Sequence, residues 1–181
     1  MNAEGIFTAA FVVTGAGGEP QFAMTQATSQ TRSFAALALV LIHLVVSILH
    51  GLAHQAAIVK LTTFGNVYVM IVITLGPLVA AGFLLTRQHK TGALLLALSM
   101  FGSFIFGVWY HFLSNTSDNV TQVHGPWHST FLWTAIAIAV IELAGAVVGF
   151  RMFSREIRTL RVLTRSPAKV GFDCIENWHA P

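Results

Sequence analysis

Apolar and polar positions along this chain are segregated into long blocks. Four runs, at about 34–59, 63–85, 92–113 and 127–150, are apolar nearly throughout and carry few charges. A helix needs about 20 residues to cross the ~30 Å hydrocarbon core of a bilayer, and each run supplies them. Period-two alternation is absent, so helices are expected rather than strands, because a helix satisfies its own backbone hydrogen bonds in lipid. The connectors, at 60–62, 86–91 and 114–126, are short and make successive helices antiparallel neighbours. The pattern predicts an all-α integral membrane protein: an antiparallel up-down four-helix transmembrane bundle over residues 33–151. Gly76-Pro77 inside the second run predicts a kink there.

The flanks differ from the core. Residues 1–32 read as a mostly flexible tail, with Met24 as an alternative start. The apolar patch at 6–13 is too short to span, and no basic region precedes it as a secretory signal would require. Residues 152–181 form a basic C-terminal segment in which arginines alternate with Met152, Phe153, Ile157, Leu160 and Leu163. A solvated flank is the expectation there. Continuation of the fourth helix and an amphipathic helix lying on the membrane surface are the alternatives.

Composition strengthens the membrane reading. Of 181 residues, 55% are hydrophobic and 9% charged, against about 25% charged in soluble domains, and the mean hydropathy is +0.70. A net charge of +3 invites nucleic acid as a partner, but the distribution argues against it. Six of the ten Lys/Arg residues (Arg151, Arg155, Arg158, Arg161, Arg165 and Lys169) follow the last apolar run. Arg32, Arg87 and Lys90 fall on the same side in a four-span arrangement, while the opposite side holds only Lys60 and Asp118. The positive-inside rule then puts both termini in the cytoplasm, in the inner (plasma) membrane of a bacterium or archaeon. Cys174, the single cysteine, excludes an internal disulfide and any cysteine-based zinc site.

The candidate chemistry lies in histidines. Ionisable residues within membrane segments are costly and mark function, and six of the eight histidines lie in or beside these runs. At about 100° per residue, His43, His50 and His54 fall within about 40° of one another on the first helix. His50 and His54, four apart, can direct both imidazoles into one volume, as two-histidine metal motifs do. Topology brings His111, His124 and His128 to the same, extracytoplasmic end. Asn66 and Tyr68 stand near that end as hydrogen-bond partners. His89 and His179 are expected in solvent, and Trp109, Tyr110, Trp127 and Trp133 in an interfacial aromatic belt. Glu142, the only acid within any run, returns to the face of His128 and to the depth of His43. A His43–Glu142 contact beneath the cluster is expected, either as a proton relay or as a buried pair fixing helix register.

Three functions fit these residues. The first is a transition-metal site, for Cu, Fe or Zn, held by His50, His54, His111, His124 and His128 and serving redox or oxygen-linked chemistry. The second is a single bis-histidine haem b using two of His50, His54, His111 and His128, in the membrane subunit of a quinol-linked electron-transfer complex. In this the chain resembles four-span membrane b-type cytochromes, with Gly51, Gly102 and Gly107 available to admit a macrocycle. It departs from the two-haem cytochrome b subunits in lacking their same-helix ligand pairs, since His43 and His54 are eleven apart. The third is a non-catalytic metal carrier or accessory subunit. The bilayer is the implied partner, joined by other membrane subunits or quinol. No nucleophile elbow or phosphate loop is present, so enzyme status stays open at this level.

Overall fold

The computed structural model describes residues 19–165, and side chains for 33–158. Four helices account for most of them: α1 (Glu19–Ala56), α2 (Thr63–Leu84), α3 (His89–Leu113) and α4 (His128–Arg165). The described residues contain no strand. Each helix includes a stretch long and apolar enough to cross a membrane: Ser33–Ala56, Thr63–Leu84, His89–Leu113 and His128–Arg158. Large apolar side chains such as Leu41, Leu98, Phe101 and Val140 point outward and are more than half exposed. Lipid tolerates that surface and water does not.

Helix ends depart from the hydropathy pattern where local chemistry overrides it. α1 begins at Glu19, so residues 19–32, expected in the tail, are helical. They contain no glycine, and their one proline, Pro20, sits in the first turn, where its missing N–H is harmless. The same helix stops short of residue 59. Val59 N–H donates to His54 O (3.0 Å) and Ile58 N–H to Gln55 O (3.1 Å), around Ile58 at φ 57°. That is a Schellman termination with a β-branched residue where glycine is usual. α4 runs on through Arg165, so residues 152–165 of the basic segment expected as a solvated flank continue the helix, one of the two alternatives for that segment. Residues 1–18 and 166–181, with the 6–13 patch, Lys169, Cys174 and His179, lie outside the described residues.

α2 starts at Thr62, whose hydroxyl accepts from Gly65 N–H at 3.1 Å. Val69–Leu75 is π-helical and passes into the α-helical Gly76–Leu84. Pro77 thus stands in the first turn of a new α-helical piece, and Gly76 N–H bonds Ile71 O across the junction. A change of helix type absorbs the proline.

α4 packs along both α1 and α3, and α3 packs along α2. α1 meets α2 chiefly at Gly76–Leu84, leaving their remaining lengths splayed. One apolar cluster fills the end away from the histidines, from Ala36 and Val40 through Leu84, Leu96 and Met100 to Ala146. Small residues let the backbones approach there. A Cβ on Gly149 would stand 2.6 Å from Ala97 N and 2.9 Å from Ala93 O. Van der Waals fit between small residues drives helix association in lipid, where the hydrophobic effect is lost.

Gly149→Leu should therefore lower stability in detergent by about 1–3 kcal/mol, the usual cost of overpacking. Gly82→Leu, where a new Cβ meets nothing within 4 Å, is the control and should unfold near the wild-type temperature. Equal melting temperatures for the two variants would contradict the packing described.

Candidate metal centre

The site is assembled where α1 ends, α3 ends and α4 begins. His50 and His54 come from the buried face of α1, one turn apart. His111 lies in the π-helical turns, Trp109–Leu113, that close α3. All three residues are buried, less than a tenth of each being exposed. Phe131, fully buried at the end of the first turn of α4, packs on each of them with ring centroids at 5.0, 4.8 and 5.5 Å from His50, His54 and His111. It backs the cluster with an apolar wall and keeps water from that side.

The connector from α3 to α4 folds inward over the histidines. Asn119 pins it, donating to Ser114 O (2.7 Å) and accepting from Thr121 N–H and Oγ1–H. Val120 N–H returns to His111 O at 2.9 Å. This arrangement carries Asp118 into the bundle at 3% exposure.

Hydrogen bonds at the back of the rings fix what the front presents. Thr134 Oγ1 donates its one proton to Thr130 O (2.7 Å), so it accepts from His50 Nδ1–H at 2.9 Å. The Asp118 carbonyl accepts from His111 Nδ1–H at 3.1 Å. Both rings are thereby held as Nδ1–H tautomers with the Nε2 lone pair facing inward. Those two Nε2 atoms are 3.1 Å apart, and His54 Nε2 is 3.1 Å from that of His50.

Protons alone satisfy this arrangement poorly. With both rings neutral, no hydrogen is left to share between His50 and His111, and two lone pairs confront each other. His54 Nε2 also lies 3.2 Å from Asp118 Oδ1, and neither carboxylate oxygen has a well-aligned hydrogen bond. Buried acceptors without donors are costly. A cation at the centre would meet the three imidazole nitrogens, with Asp118 Oδ1 beside the His54 edge of the group. Imidazole nitrogens about 2.0–2.1 Å from a tetrahedral ion stand about 3.3 Å apart, close to the spacing found. The three nitrogens lie within 4.8 Å of one another, a group able to hold a metal ion.

Other residues singled out from the sequence fall elsewhere. His124 is exposed in the connector. His128 donates from Nε2 to Val120 O (3.2 Å) and fastens the connector to α4. Neither joins the cluster. His43 Nε2 lies 3.4 Å from Glu142 Oε1, both residues being buried, with Ser47 Oγ 3.4 Å from the same nitrogen. Tyr68 stacks on Phe106 at 4.5 Å and 10°, away from the histidine rings, while Asn66 borders the cavity beside the site. Trp109, Trp127 and Trp133 are exposed, and so is His89.

Asp118, Thr134 and Phe131 were not singled out beforehand. Asp118 entered only as a charge between runs, although it is the one acid in the 114–126 connector and lies seven residues after His111. Thr134 and Phe131 carry no sequence signal that separates them from ordinary residues of an apolar helix. No protein-family model, curated protein or solved structure matches this chain.

The tautomers are open to direct measurement. ¹⁵N spectra of the imidazoles should show His50 and His111 protonated at Nδ1. Thr134→Val should cost about 1–3 kcal/mol by orphaning a buried donor and mix the tautomers of His50 alone. An unchanged His50 signature would remove Thr134 from this role.

Proposed function

We propose that this is an integral membrane protein holding a transition-metal ion on His50, His54 and His111, with Asp118 as the fourth ligand. The observation that carries this reading is the gathering of three buried imidazole nitrogens within 4.8 Å of one another, with His54 Nε2 3.2 Å from an Asp118 oxygen that lacks an aligned donor. Neutral imidazoles suit Cu, Fe and Zn, and the carboxylate does not narrow that choice. Thr134 and the Asp118 carbonyl act as the outer partners that orient metal-bound histidines.

A redox or oxygen-linked role is favoured over storage because the site borders a cavity of about 670 Å³, lined by all three histidines and Asp118. An ion there would keep a side open to a small molecule, as catalytic sites do. The haem reading fits less well. His50 meets His54 and His111 edge-on at ring separations of 4.6 and 4.8 Å, without a slot for a macrocycle. His124 and His128 fall outside the proposed ligand set. His43 and Glu142 serve as a proton relay beneath it, on the strength of their buried contact.

The four spans alternate in direction, with the site at the extracytoplasmic end and both termini in the cytoplasm. The support is charge: Arg87, Lys90, Arg151, Arg155 and Arg158 lie at the helix ends away from the histidines, where Lys90 Nζ approaches the Phe153 ring at 6.0 Å. The bilayer is the surrounding partner. Residues 33–151 form the membrane domain.

Elemental analysis of purified protein should find about one transition-metal ion per chain, and the visible spectrum should lack a Soret band. His50→Ala, His54→Ala and His111→Ala should each abolish retention. Asp118→Asn should weaken affinity about 10–100-fold, and His124→Ala and His128→Ala should leave the metal in place. Glu142→Gln and His43→Ala should impair turnover with metal retained. Metal-free wild-type protein, together with full stability of His50→Ala and His54→Ala, would sink the reading.

A further inference from the structure

The cavity beside the histidines is polarised along its length. Its walls are apolar along Leu44 and Ile48 of α1 and Val69, Met70 and Ile73 of α2, while Gln55, Lys60 and Asn66 line it near the 57–62 connector. Its inner end is polar, formed by the histidines, Asp118 and Glu142. The opening follows from the packing: α1 and α2 meet chiefly at Gly76–Leu84 and diverge towards the site. Ile48 and Met70, more than half exposed, lie on these two spans beside the gap. A gap between two spanning helices opens sideways into lipid rather than into water.

Glu142 supplies the second observation. It is 1% exposed, and Oε1 is the oxygen that faces His43. Oε2 is buried and has no partner. It lies at the inner end of the cavity, 3.6 Å from the place a Cβ on Gly107 would occupy. A buried acceptor without a donor awaits one. Ser47 and Thr74 add hydroxyls to the same lining.

We propose that this cavity binds a bilayer-borne molecule with an apolar tail and a hydroxyl-bearing headgroup. The molecule enters between α1 and α2, and its hydroxyl donates to Glu142 Oε2 beside the histidine site. A volume of about 670 Å³ falls in the range that encloses most of a ligand of this size. Tail and head are both needed: the apolar stretch formed by Leu44, Ile48, Val69, Met70 and Ile73 offers a small polar solute nothing, and a bare acyl chain leaves Glu142 unpartnered. The inference deepens the metal reading and rests on it only for what the headgroup meets at the inner end.

Gly51 gives a clean test. It lines the cavity, and a Cβ there meets nothing within 4 Å, so Gly51→Phe fills the space without disturbing the helix, whose propensity it improves. The probe is a para-alkylphenol carrying a diazirine on its tail, added to the full chain in lipid nanodiscs, with the labelled residues mapped by mass spectrometry. Labelling is expected on Ile48, Met70 or Ile73. It should be competed by para-octylphenol and far less by octylbenzene or by phenol. Gly51→Phe should reduce labelling about ten-fold, the equivalent of 1.4 kcal/mol, with metal content unchanged. Glu142→Leu should erase the advantage of octylphenol over octylbenzene. Even labelling around the bundle, equal competition by octylbenzene, or wild-type labelling of Gly51→Phe would overturn the proposal. The two readings fail separately. Labelled protein without metal supports the cavity and sinks the metal site, and metal-bearing protein without selective labelling does the reverse.

Discussion

Three imidazole nitrogens gathered within 4.8 Å of one another inside an apolar bundle, with Asp118 Oδ1 3.2 Å from one of them, set the constraint that the surrounding structure answers to. None of the three helices that supply or back them can slide or rotate by a fraction of a turn without separating these atoms. Thr134 on α4 fixes His50 on α1, and the connector after α3 fixes His111. The orienting bonds thus run between elements, so the register of α1 against α4 and the path of the connector are specified by the site. In lipid such specification matters more than in water, because apolar faces alone do not distinguish one helix register from another.

The opposite end of the bundle carries the stability that this site does not supply. There the helices approach to backbone contact through Gly92 and Gly149, Gly145 closes on the Met100 and Leu39 side chains, and the one hydroxyl beside Leu96 and Met100, that of Ser99, bonds back to Leu96 O within its own helix. The division is physical. A polar centre with unpaired acceptors is held in place by a tightly packed region that needs no polar complement. Ile58 in a left-handed conformation, four residues past His54, adds local strain where the chain leaves the site, and strain of this kind clusters at functional positions.

Element type and number were legible in the sequence because lipid imposes one rule, continuous apolarity over about 20 residues, and all four runs obey it. The shared face of His43, His50 and His54 was legible for the same reason: helical phase is arithmetic. Helix ends were less so, since caps are local. Pro20 permits an early start that hydropathy does not register, and a Schellman turn at Ile58 stops α1 before the apolar run ends. Within the site, His50, His54 and His111 could be gathered by depth. Depth alone could not separate them from His124 and His128, which share the same end of the bundle and face elsewhere. That separation depends on the fold of the 114–126 connector, whose inward path is set by the side-chain bonds of Asn119. No hydropathy pattern encodes those bonds, and Asp118 was hidden with them.

The weak seam between α1 and α2 follows from the same economy of contacts. Gly76 can approach Ser99 of α3 so closely that a Cβ there would stand 2.7 Å from the serine Cβ, which draws α2 towards α3 at mid-span. Pro77 requires an interruption of the α-helical ladder, and the seven π-helical residues before it provide one. α2 is therefore committed to α3, while α1 is committed to α4 through His50 and Thr134. Neither helix has apolar surface tied to the other at the histidine end. Closing the gap would require breaking the Gly76–Ser99 approach or the His50–Thr134 bond. The opening beside the histidines is thus enforced by contacts elsewhere, and a bound molecule would find it already formed.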